Sequence, residues 1–150
     1  MRLIGIALSS AAALFLASCQ PQNAATDDGL PGNTDDTAPY DGVAEDEVLR
    51  FTGTEPFWGG EVSGNTLTYS TPEEPDGVAI EVERFAGRGG ISFSGRLDGA
   101  PFDMTVTPLR CSDGMSDRTY PFAVTLEVAQ ETRSGCAWSD RRPFEGPETP

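Results

Sequence analysis

Apolar and polar residues alternate one for one along most of the chain's second half. Leu67 and Tyr69 stand against Thr66, Thr68 and Ser70; Val78, Ile80 and Val82 against Ala79, Glu81 and Glu83. Ile91, Phe93 and Leu97, with Gly95 on their side, oppose Ser92, Ser94 and Arg96. Phe102, Met104 and Val106 alternate with Asp103, Thr105 and Thr107; Tyr120, Phe122, Val124, Leu126 and Val128 alternate with Pro121, Ala123, Thr125, Glu127 and Ala129. A period of two places one face in a core and the other in water, the pattern of a half-buried antiparallel strand.

Turn residues fall between these runs: Ser63-Gly64-Asn65, Glu74-Pro75-Asp76-Gly77, Gly87-Arg88-Gly89-Gly90 and Asp98-Gly99. Asp-Gly and Pro-Asp-Gly favour tight reversals because glycine and aspartate accept the backbone angles a hairpin needs. No window has the period of an amphipathic helix, and Ser112 to Arg118 has room for one helical turn at most. The pattern predicts an all-β domain over residues 48–142: a small antiparallel meander, barrel or sandwich, of about seven to eight strands.

The first half has a different character. Met1-Arg2 precedes an uncharged run from Leu3 to Ser18. That run is shorter than the roughly 20 residues of a membrane-spanning helix and suits the apolar core of a signal peptide, residues 1–18. Its end, Leu16-Ala17-Ser18-Cys19, resembles the lipobox of bacterial lipoproteins. The resemblance implies cleavage before Cys19, acylation of its sulfur, and anchorage in a lipid bilayer. Gln20, where some relatives carry Asp, implies the outer membrane. Each buried methylene of an acyl chain contributes about 0.8 kcal/mol, so two or more chains anchor stably. An ordinary secretory signal with an incidental Cys19 is the alternative. Residues 20–47 carry eight acids and no base, with only Leu30, Tyr40 and Val43 as larger apolar side chains. Such a segment buries too little to offset its ordering entropy and is predicted to be a disordered tether, with residues 143–150 a flexible tail.

Composition then narrows the chemistry. Among 150 residues there is no His and no Lys, and the net charge is −14. The sequence therefore offers no imidazole base or imidazole metal ligand and no Schiff-base lysine, and its charge opposes a nucleic-acid partner. No cofactor and no metal site is implied. Two cysteines remain after Cys19. In an exported chain Cys111 and Cys136 are most simply a disulfide, worth about 3.5 kcal/mol in the chain-entropy model. Free thiols are the alternative; a metal pair lacks further ligands.

Two segments concentrate candidate binding residues. In Phe51-Thr52-Gly53-Thr54-Glu55-Pro56-Phe57-Trp58, adjacent aromatics on a strand face opposite ways, so either Phe57 or Trp58 points away from the core. The first expectation is that Trp58 plugs one end of the barrel while Glu55 pairs with an arginine or accepts backbone N–H bonds; the sharper one is that the outward ring and Glu55 form a ligand-binding patch. In Cys111 to Pro121, Asp113, Ser116, Asp117, Arg118 and Tyr120 cluster around Gly114. The spacing is not that of an EF-hand, and Asp and Ser side chains there suit capping of loop amides.

Taken together, Gly53-Thr54-Glu55-Pro56-Phe57-Trp58, Cys111-Ser112-Asp113-Gly114-Met115-Ser116-Asp117, Tyr120-Pro121 and Gly135-Cys136 resemble a family of bacterial membrane-associated lipoproteins. The likeness runs from Phe51 to Ala137 and implies an envelope location and this fold, but no activity. The leading expectation is a non-catalytic envelope lipoprotein that binds an envelope partner or serves envelope maintenance. A lysozyme-type hydrolase inhibitor, its acidic barrel capturing a basic lysozyme, is the second. A cell-wall glycosidase using two of Glu55, Glu61, Asp113 and Asp117 is the third.

Overall fold

The computed structural model describes residues 37–147. Eight antiparallel strands follow one another as a meander and close into a barrel: β1 (Leu49–Thr54), β2 (Phe57–Ser63), β3 (Thr66–Ser70), β4 (Val78–Gly87), β5 (Gly90–Leu97), β6 (Ala100–Thr107), β7 (Phe122–Val128) and β8 (Glu131–Ser139). Every alternating run of the sequence lies in one of these strands. Closure pairs β1 with both β2 and β8, so no strand is unpaired along its whole length, although the β1–β8 ladder covers only Leu49 to Thr52 of β1.

The apolar faces all turn inward. Leu49, Phe51, Trp58, Leu67, Ile80, Phe93, Phe102, Met104, Phe122 and Leu126 meet in one core. Glu61, Glu81, Glu83, Asp103 and Glu127 stand exposed on the outer wall. This is the reverse of a transmembrane barrel, whose apolar band faces outward. Buried side chains from all eight strands meet in the interior, one of the two outcomes that an eight-strand barrel allows. An aromatic chain runs through it: Phe51 to Trp58 at 5.8 Å, Trp58 to Tyr69 at 6.4 Å and Tyr69 to Phe102 at 5.4 Å between ring centroids.

An inward-facing arginine sits at each mouth. At the lower one, where the chain enters, Arg84 donates to Val43 O at 2.8 Å. At the upper one Arg133 donates to the Tyr69 hydroxyl at 2.8 Å and to Glu131 at 2.8 Å. Burial pushes the Tyr69 hydroxyl above its ordinary pKa, although the Arg133 charge and hydrogen bond oppose the rise.

Three expectations need correction. The tether predicted through residue 47 ends earlier: Val43 is buried in the core, Tyr40 packs against it, and Tyr40 N donates to Gly87 O at 2.8 Å. A single buried valine, braced by a half-buried arginine, suffices to dock a segment whose composition alone looks unstructured. The tail is not loose from Pro143 onward, because Phe144 packs on Tyr120 and Trp138 and Glu145 pairs with Thr119. Tyr120 does not continue the β7 alternation; it bridges to Cys111 and lies outside the barrel, the register breaking at Pro121. No helical turn forms between Ser112 and Arg118. The predicted signal peptide, Cys19, residues 20–36 of the tether and the last three residues lie outside the described part of the chain.

If Val43 is the plug of the lower mouth, Val43→Ala should destabilise the domain by about 2 kcal/mol through lost burial and a residual cavity. Chemical denaturation would measure this, with Leu30→Ala as a control expected to have no effect.

Candidate functional site

The β6–β7 connection, residues 108–121, leaves the lower rim and turns back up the outer wall. Its path is set by three fastenings. Cys111 and Tyr120 bridge its two arms. Cys111 is bonded to Cys136 on the outward face of β8, with the Cα atoms 5.6 Å apart. Thr54 Oγ1, at the top of β1, donates to Asp113 O at 3.2 Å. On the outward side Tyr120, Trp138 and Phe144 form a second aromatic cluster with centroids 5.4 to 5.8 Å apart, and the Arg118 guanidinium lies 4.5 Å over Phe144.

Asp113 organises the loop. Its carboxylate accepts from Met115 N at 3.0 Å, Ser116 N at 2.8 Å, Ser116 Oγ at 2.7 Å and the Tyr120 hydroxyl at 3.1 Å. Ser116 Oγ in turn accepts from Arg118 N at 3.3 Å. Partial burial raises the carboxyl pKa, but the four hydrogen bonds to the charged form outweigh it and hold the pKa at about 2. So strong a commitment makes Asp113 a brace, poorly suited to exchange protons near neutrality. Asp117 is exposed beside it.

Between this loop and the upper part of the barrel wall lies an open cavity of about 430 Å³, within the range of ligand sites. It occupies a split in the sheet. Strands β1 and β8 are paired only from Leu49 with Ser139 to Thr52 with Cys136. Above that point they diverge, and the cavity is bordered by Thr52 to Glu55 on one side and Thr132 to Gly135 on the other, with Cys111 to Asp113 forming its outer wall. The split has a cause in the core. The indole of Trp58 occupies the space where side chains at Gly53 and Gly135 would stand, and a Cβ at either position would collide with it. Trp58 thus lies directly behind the gap. Its Nε1 is buried and has no acceptor, an arrangement that costs about 1 to 3 kcal/mol.

The structure therefore separates the two aromatics. Trp58 is 3% exposed and points inward, whereas Phe57 is 55% exposed. An exposed ligand-binding ring at Trp58 is excluded by that burial. Glu55 stands exposed at the cavity's edge and has no partner among the described residues. The cavity brings together Glu55 and Asp113, one from each candidate segment; Ser116, Arg118 and Tyr120 support the loop from behind. Arg133, which also lines the cavity, was not singled out in the sequence. It sits in a strand without alternation, and only its inward register marks it. A second cavity, about 390 Å³ on the outer wall, is bordered by the directly opposed acids Asp103 and Glu127. Among the described residues no three Cys, Asp or Glu side chains converge as a metal site would require.

Comparison with family models, with curated proteins and with solved structures finds no match to this chain.

Because the folded pKa of Asp113 lies below its ordinary value of 3.8, the unfolded chain takes up the proton first. Its contribution to stability is whole above pH about 4 and is lost as pH falls toward about 2. Asp113→Asn should lower stability at pH 7 by about 1 to 3 kcal/mol and remove this part of the acid dependence. Thermal denaturation of both proteins between pH 2 and 7 would test this.

Proposed function

We propose that this protein is a bacterial envelope lipoprotein, held in the bilayer through acylated Cys19, whose barrel is a non-catalytic recognition module binding at the β1–β8 notch. The observation that carries the reading is the split seam itself. Core side chains from all eight strands meet in the barrel interior, so the recognition surface is placed on the outside. The notch instead offers an open cavity of about 430 Å³ bordered by the unpaired ends of β1 and β8. Its outer wall is held by a covalent bridge and by the Asp113 hydrogen bonds, so little ordering remains to be done on binding. The lipobox resemblance and the likeness to membrane-associated lipoproteins support the location. The acidic tether supports it too, since like charge repels an anionic membrane surface and lifts the domain clear of it.

The anchor is tested by detergent phase separation of the full chain expressed in a bacterium. The parent protein should enter the detergent phase and Cys19→Ala the aqueous phase; a parent protein found in the aqueous phase overturns the anchor. The site is tested by placing a photo-crosslinking amino acid at Ser112, in the notch wall, or at Glu83, on the opposite face of the barrel. Capture of an envelope species from position 112 and not from 83 is expected. Capture from 83 alone, or from neither, overturns the notch as the recognition site.

A further inference from the structure

The notch is bordered by two backbone edges without a strand beside them. On the seam side, β1 is laddered only through Thr52 and β8 only through Cys136. Above these residues Gly53 and Thr54 pair with β2 alone, and Thr132 to Gly135 with β7 alone. An edge of this kind presents peptide N–H and C=O groups at the spacing of a further strand. The indole of Trp58 closes the gap from within, so anything lying in it stays at the surface. The wall formed by Ser112 and Asp113 bounds it from outside.

Charge selects among possible occupants. Arg133 is engaged by Glu131 and Tyr69, which leaves little positive charge to offer. Glu55, at the lip, is exposed with no partner among the described residues, and Glu131 is exposed nearby. The whole chain carries −14. An anionic ligand would meet the unpaired Glu55 carboxylate, whereas a cationic one gains both steering and a contact. Phe57 and Met115 are exposed apolar side chains on the two segments that the Thr54–Asp113 hydrogen bond joins.

We infer that the notch takes an extended cationic peptide segment as an added strand, main chain on the free edges of β1 and β8, a Lys or Arg on Glu55 and an apolar side chain against Phe57. This rests on the notch being the recognition site and names the class of partner it accepts. Strand addition draws affinity from main-chain hydrogen bonds and specificity from alternate side chains, which matches a site that is mostly backbone with one free charge.

The test uses the full chain in detergent micelles and amide hydrogen exchange. The probes are a nine-residue peptide of alternating valine and arginine, the same peptide with glutamate for arginine, and the arginine peptide N-methylated on alternate amides. The arginine peptide should slow exchange in segments 53–55 and 132–135 and nowhere on the opposite wall. N-methylation of the paired edge should abolish the effect. Glu55→Gln should weaken binding about fivefold, and the glutamate peptide should bind at least roughly tenfold more weakly than the arginine one. Absence of protection at both segments with every peptide overturns strand addition. Equal or better binding of the glutamate peptide overturns the cationic class. In either case continued crosslinking from position 112 leaves the notch standing as a site for another ligand, such as a glycan, while loss of both removes the site as well.

Discussion

The indole of Trp58, laid across the seam between β1 and β8, is the contact on which the shape of this barrel depends. A Cβ at Gly53 would run into the ring, and one at Gly135 would meet the Thr52 carbonyl first and the ring next, so both positions need glycine. The two strands part where the ring lies behind them, and the ladder between them ends at Thr52 and Cys136. The same ring continues the aromatic chain from Phe51 to Tyr69 and Phe102, so the core and the notch share one side chain. Its unpaired Nε1 is the cost of placing a polar-edged ring in that position.

A barrel with a partly open seam needs reinforcement from outside, and the β6–β7 loop supplies it. The Cys111–Cys136 bridge fixes the loop to β8, the Thr54 hydroxyl fixes it to β1, and the Asp113 carboxylate holds its tip in shape. The Tyr120, Trp138 and Phe144 cluster then packs the C-terminal segment against the same face. The result is a small second core on the outer wall, clasping both sides of the seam.

Function follows from what is filled and what is not. Core side chains meet in the interior, Arg84 and Arg133 stand at the two mouths, and the outer wall carries acids along with the exposed Phe57 and Phe85. What remains is an edge-lined notch with a free carboxylate at its lip.

How much of this was legible varies by element. Strands β3 to β7 announce themselves by alternation, and the pair of cysteines left after Cys19 announces the disulfide. Strand β8 was invisible, because its inward positions are Glu131, Arg133, Gly135, Ala137 and Ser139 and its turn, Ala129-Gln130, adopts positive φ without glycine or asparagine. The docked segment around Val43 was hidden for a related reason: one buried side chain in an acidic stretch leaves no period. The sequence by itself determined the all-β meander, the cross-link and the fact that one of two adjacent aromatics must turn outward, since these depend on local geometry and on residues few apart. Only the tertiary structure decided that Trp58 is the inward one, that the seam opens beside it, and that Glu55 and Asp113 border the same cavity. Those outcomes depend on which volumes meet when the first strand closes on the last, a relation between residues some 80 positions apart that no local pattern records.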